Sequence, residues 1–208
     1  MNKRVNTVLK IVFLVFFLLF VIAGCTLLGL DSKTKEIREL QASVKKITGG
    51  DLVVPLHEDY PLVSAYVSYP PLGTGINRIH LYYSVEKIEL EYLFEDEAMK
   101  KMAEELSHLK YLYGPYRGGK PIWLTYWPPP ANTTVVSNGS EKRSWIINGQ
   151  EVGYDYVSRR GEEAVHVTLT IGKGSLFASY RLDDRFTEED AESFTAYLMD
   201  FYQLETQY

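Results

Sequence analysis

Ser144-Trp145-Ile146-Ile147-Asn148-Gly149-Gln150-Glu151-Val152-Gly153-Tyr154-Asp155-Tyr156-Val157 is two strand-forming runs around Asn-Gly. That dipeptide accepts positive φ at both central positions of a tight turn, so it is the strongest short hairpin signal. It predicts antiparallel strands at Ser144 to Ile147 and Glu151 to Val157. Downstream, Arg159 to Glu162 turns into a strand at Ala164 to Ile171, and Gly172-Lys173-Gly174 turns again into Ser175 to Leu182. Thr187-Glu188-Glu189-Asp190 resembles a capping box with Asp where Glu or Gln is usual. It opens a last helix whose buried face is Ala191, Phe194, Leu198, Phe201 and Tyr202.

Upstream, Ile122 to Trp127 reads as a strand that Pro128-Pro129-Pro130 forces into an extended exit, and Ala131 to Lys142 as a polar surface excursion. Lys33 to Ile47 has Ile37, Leu40, Val44 and Ile47 at helical spacing, with Gly49-Gly50 as the stop. A strand covers Leu62 to Tyr69, a second Arg78 to Ser84, and a third Lys87 to Phe94, where apolar residues alternate with Glu89 and Glu91. Glu95-Asp96-Glu97 opens a helix to about Tyr113, with Met99, Met102, Ala103, Leu106 and Leu109 on one stripe and Gly114-Pro115 as the stop.

These elements predict an α+β fold, an antiparallel sheet of about 6–8 strands packed against amphipathic helices. Ile79-His80-Leu81 and Val165-His166-Val167 each begin a hairpin that leads into a helix. They suggest two β-hairpin-helix units; chance similarity between two ordinary hairpins is the alternative.

The chain opens with Lys3, Arg4 and Lys10, continues through the apolar run Ile11 to Val21, and closes it with Ile22-Ala23-Gly24-Cys25, which holds its one cysteine. This order matches a secretory signal peptide, and its last four residues resemble the lipobox of bacterial lipoprotein precursors. The resemblance implies a diacylglyceryl group on the Cys25 thiol, recognition of Ile22, Ala23 and Gly24 by a signal peptidase, and cleavage before Cys25. Under it, 1–24 is the signal peptide, 25–32 a lipidated tether, 33–50 an amphipathic helix and 51–208 a single extracytoplasmic domain on the bacterial cell membrane. The rival is an uncleaved span, since Ile11 to Leu30 carries no charge and about 20 apolar residues cross a bilayer. Either way the basic N-terminus stays inside and the bulk of the chain lies outside the cytoplasm.

Removing 24 residues that carry three basic and no acidic side chains leaves 19 basic against 27 acidic, a net charge of −8. Nucleic acid needs a basic footprint, so it is not an expected partner. No cysteine is left for a disulfide, so packing must supply the stability. Sixteen tyrosines and three tryptophans fit aromatic-rich strands.

No catalytic set stands out. His57-Glu58-Asp59-Tyr60-Pro61 lacks the second histidine of a zinc-protease helix. Glu105-Leu106-Ser107-His108 has a di-iron spacing without its partners, and Gly118-Gly119-Lys120 lacks the rest of a phosphate loop. No cofactor or metal is therefore expected. The binding candidate is the aromatic segment with Tyr116, Arg117, Trp123, Tyr126 and Trp127, residue types enriched in recognition hot spots and suited to stacking on sugars or extended peptides. In a strand, Trp123 and Trp127 share one face and Tyr126 takes the other, and one of those faces must be core. The expected function is a non-catalytic binding or accessory lipoprotein that meets an envelope protein or the cell wall. The alternatives are a wall- or lipid-directed enzyme and a carrier of a hydrophobic ligand.

Overall fold

The computed structural model describes residues 34–70, 77–86, 91–129 and 140–203. Helix α1 spans 34–48. It is followed by β1 (Leu62–Ser68), β2 (Arg78–Tyr83), α2 (Glu97–Ser107), β3 (Leu109–Tyr113), β4 (Ile122–Trp127), β5 (Glu141–Ile147), β6 (Gln150–Arg159), β7 (Glu162–Ile171), β8 (Gly174–Leu182) and α3 (Glu188–Tyr202). The class is α+β: among the described residues there are three helices and one open antiparallel sheet of eight strands, in the order β3-β1-β2-β4-β8-β7-β6-β5. Leu40–Tyr208 forms one compact unit, and Met1–Glu39 another, of which 34–39 are described.

The closing half follows its local code. Asn148 and Gly149 both hold positive φ, 52° and 79°, and the β5–β6 register closes on Ile147 opposite Gln150. Thr187 caps α3 with Asp190 reciprocating, and Ala191, Phe194, Thr195, Leu198 and Met199 are buried. Thr195 hydroxyl donates to Ala191 carbonyl at 2.8 Å and lies 2.9 Å from Tyr180 hydroxyl, so both buried hydroxyls of this pair are satisfied.

Over the middle of the sheet one side is apolar. Val63, Ala65, Val67, Ile79, Leu81, Tyr83, Ile122, Leu124, Tyr126, Leu176, Ala178, Tyr180, Val165 and Val167 are all at most 1% exposed. Leu40, Val44, Leu52 and Val54 join that core, and Gln41 clips the segment after α1 by bonding both N–H and carbonyl of Val54. Gly174 is dictated by this packing, because a Cβ there would fall on the Tyr126 ring.

Three expectations need correction. Leu109 to Tyr113 is not the end of a helix but the edge strand β3: His108 takes a left-handed conformation and ends α2, and β1 supplies β3 with hydrogen-bond partners. Lys87 to Phe94 is not a strand over its described part: 91–94 makes one isolated bridge, Tyr92 with Tyr116, and 87–90 lies outside the described residues. Glu141 and Lys142 belong to β5 and not to a surface excursion, whose remaining residues 131–139 are not described. The Met99, Met102 and Leu106 stripe is also left in water, at 42, 57 and 76% exposure, and α2 has no buried residue. The helix instead shields the sheet edge, where Glu104 accepts from the Tyr111 N–H at 2.7 Å.

Candidate functional site

Alternation along the strands puts polar and aromatic side chains on the second face of the sheet. Cross-strand register assembles them into rows. One row runs Ser64, Tyr82, Trp123, Ser179, His166, Asp155, Lys142 from β1 to β5, each residue opposite the next. The adjacent row runs Tyr66, His80, Thr125, Phe177, Thr168.

The rings stack across strands. Tyr66 lies 4.7 Å from His80 and 5.9 Å from Tyr82, and Tyr82 lies 5.6 Å from Trp123 with 10° between the planes. Trp123 Nε1 donates to His80 Nδ1 at 3.2 Å. An indole N–H can only donate, so His80 Nδ1 accepts and the neutral ring carries its proton on Nε2. That nitrogen faces Ser68 Oγ at 2.9 Å, and Thr125 Oγ1 lies 3.1 Å from Nδ1. His80 is 8% exposed; burial, then the charge of Arg78, pushes its pKa down to about 4. A histidine bonded on both edges and held neutral fixes the indole above it.

Trp123 is nevertheless 36% exposed. Its stacked face is turned to Tyr82 on β2, which leaves the other toward β8, where its opposite number is Ser179 and carries no ring. Lys120 Nζ lies over Tyr82 at 5.4 Å, with its pKa lowered by burial. Arg78 sits over Trp127 at 5.6 Å.

The other residues singled out in the sequence go elsewhere. Trp127 shares the Trp123 face but is buried against Phe177, 5.8 Å away. Tyr126 is wholly buried on the opposite face, its pKa pushed up to about 12 by burial and then by Asp51. Tyr116 and Arg117 lie beyond the end of β3, where Tyr116 packs on Tyr92 and Tyr113 and Arg117 pairs with Glu91 at 3.6 Å. Their backbone N–H groups donate to Val63 and Glu91 carbonyls. Tyr66, Tyr82 and Ser179 were not singled out as site residues, because only the register brings them beside the indole.

Hydrolytic chemistry finds little support at the Ser68–His80 pair. A general base needs a free lone pair toward the serine, whereas Nε2 carries the proton here. His166 stands opposite Asp155, but that carboxylate is engaged by Lys142 and Ser140. His57 is packed among Tyr60, Phe194 and Tyr197, and its Nδ1 accepts from Asp59 N–H. No group of three or more His, Cys, Asp or Glu side chains among the described residues could hold a metal ion. A shallow groove of about 470 Å³ lies between α2 and β3, lined by Tyr69, Lys101, Glu104, Glu105, His108, Leu109 and Lys110. Its lining carries charges of both signs.

No helix among the described residues is long and apolar enough to cross a membrane, and the Ile22 to Cys25 motif lies outside them. Comparison with family models, curated proteins and solved structures finds no match for this chain.

Proposed function

We propose that the chain is a bacterial envelope lipoprotein, anchored by a diacylglyceryl group on Cys25 at the extracytoplasmic face of the cell membrane, whose folded body is a non-catalytic binding module. The anchor rests on Ile22-Ala23-Gly24-Cys25 after a basic start and an apolar run. The binding role rests on one observation: Trp123 is locked from beneath by Tyr82 and His80 yet keeps more than a third of its surface in water. Such an ordered aromatic loses little entropy on meeting a partner, and tryptophan is a preferred anchor at interfaces. The partner belongs to the envelope, as protein or wall polymer.

We also propose that β7, β8 and α3, which follow one another, form a β-hairpin-helix unit. The counterpart expected from His80 onward is not a hairpin, because β2 is paired with β1 on one edge and with β4 on the other.

The test uses the full chain made in a bacterial host. Intact mass of the membrane-extracted protein should lack the first 24 residues and carry acyl mass, and Cys25→Ser should abolish both changes. Trp123→Ala should leave the melting temperature within a few degrees and remove crosslinks from the domain to envelope components. An unmodified, uncleaved chain would replace the lipid anchor with a membrane span; a collapse in stability would make Trp123 a core residue.

A further inference from the structure

We propose that the outer edge of β5 is a dimer interface. A second copy of this chain adds its own β5 antiparallel to it, about a two-fold axis at Ser144, so that the two eight-stranded sheets run on as one. The surface goes beyond the binding role of Trp123, from which β5 is separated by β8, β7 and β6.

The backbone calls for a strand. β5 ends the strand order, and among the described residues no backbone group bonds its outer side. Ile147 and Gln150 flank the two-residue turn, so they form a hydrogen-bonded pair, and the N–H and carbonyl groups of Ile147, Trp145 and Arg143 point at β6. Those of Lys142, Ser144 and Ile146 therefore point away from the sheet. All three residues are exposed, Ile146 at 68%. A row of unpaired donors and acceptors at strand spacing is a template for another strand.

The devices that guard an edge stand at the other end of the sheet. At β3 the register with β1 shifts between Ala65 and Tyr66, and Glu104 of α2 takes up the Tyr111 N–H. β5 pairs with β6 without a break from Glu141 to Ile147 and holds no proline. Its cations are drawn off the edge: Lys142 is held over the sheet by Asp155, and Arg143 is held toward α3 by Glu188 at 3.3 Å. With β3 guarded, the edge of a second copy that β5 can meet is β5 itself, and such a two-fold contact closes at the dimer.

The strand's own sequence chooses the register. Centred on Ser144, the pairing sets Lys142 against the partner's Ile146 and Ser144 against the partner's Ser144, and each such pair exchanges two backbone bonds, about six in all. The Lys142 stem then covers the exposed side chain of the partner's Ile146. Centring one residue earlier would set Arg143 against the partner's Arg143, a like-charge pair. Centring one residue later would set Lys142 against the partner's Asn148, which lies in the turn at φ 52°, and the ladder would lose a pair.

The test is sedimentation velocity on the full chain in detergent over a concentration series, with thermal unfolding of each variant alongside. The natural chain should pass from monomer to dimer as the concentration rises. Ser144→Pro removes an outward N–H that no bond within the sheet uses, and should leave a monomer whose melting temperature stays within a few degrees. Ile146→Lys sets a second cation against the partner's Lys142 and should weaken dimerisation roughly tenfold or more; it keeps the test open should the proline variant fail to fold. Ser144→Cys, oxidised in the membranes of the producing cells, should give a disulfide between the two substituted positions, identified by mass spectrometry of the linked peptides. A natural chain that stays monomeric throughout, or a dimer indifferent to Ile146→Lys, overturns the interface. A disulfide from position 144 to another protein, with none between copies, overturns the second copy as its occupant.

Discussion

Acidifying the protein from pH 7 to pH 4 should cost stability through His80, and the structure sets the size of the loss. In the unfolded chain this imidazole takes up a proton near pH 6.5, whereas in the folded protein burial and then the Arg78 charge hold the uptake to about pH 4. The folded pKa is depressed, so between these values the unfolded state binds a proton that the folded state refuses. The stabilisation is therefore complete above pH 6.5 and is lost progressively as the pH falls to 4. The interval corresponds to about 3 kcal/mol. Protonation at Nδ1 would also place a second donor against Trp123 Nε1–H, which now donates to that nitrogen. His57 and His166 are lowered by burial as well, and Asp155 and Asp190 lose native partners in acid. The measurement must therefore be differential. Urea unfolding of the natural chain and of His80→Gln, followed from pH 7.5 to 4, should give curves whose difference shrinks by about 3 kcal/mol over the range. The ¹⁵N spectrum of the natural protein at pH 7 should show His80 protonated on Nε2 alone. Parallel stability curves would refute the burial argument, and a proton on Nδ1 would refute the lock on the indole.

Gly174→Ala places a Cβ within 2.6 Å of Tyr126 Cε2 in the core, and thermal unfolding should show a loss of about 1–3 kcal/mol or more. Gly153→Ala meets nothing within 4 Å and should be neutral or gain about 0.5 kcal/mol. Met102→Lys with Leu106→Glu on α2 should change stability by no more than about 0.5 kcal/mol each in urea; a larger loss would mean that the stripe is covered in solution. Thr187→Ala removes the hydroxyl that accepts from the Asp190 N–H and should cost about 1 kcal/mol, seen as a lowered melting temperature.

The β5–β6 hairpin, the α3 capping box and the strands β1, β2, β4, β7 and β8 were legible along the chain, because each is decided by residues a few positions apart. Positive φ at Asn148 and Gly149, a reciprocal Thr187–Asp190 cap and the period-two burial of β7 need no distant partner. The opposition of Trp123 and Tyr126 across β4 follows from the same period. Leu109 to Tyr113 could not be read in this way. Its apolar residues fit either a helix or a strand, and the unpaired edge of β1 decided between them. Likewise, the Met99–Leu106 stripe has a core-like pattern, yet α2 lies beyond the sheet edge, where nothing buries it. The indole's restraint is the strongest case. Trp123, Tyr82, His80 and Ser179 are scattered over three strands, and only the strand order β2-β4-β8 and its register bring them together. Local backbone preference thus set the elements, and long-range pairing set which side chains meet, because hydrogen-bond registry between distant strands is a property of the assembled sheet and of no single segment.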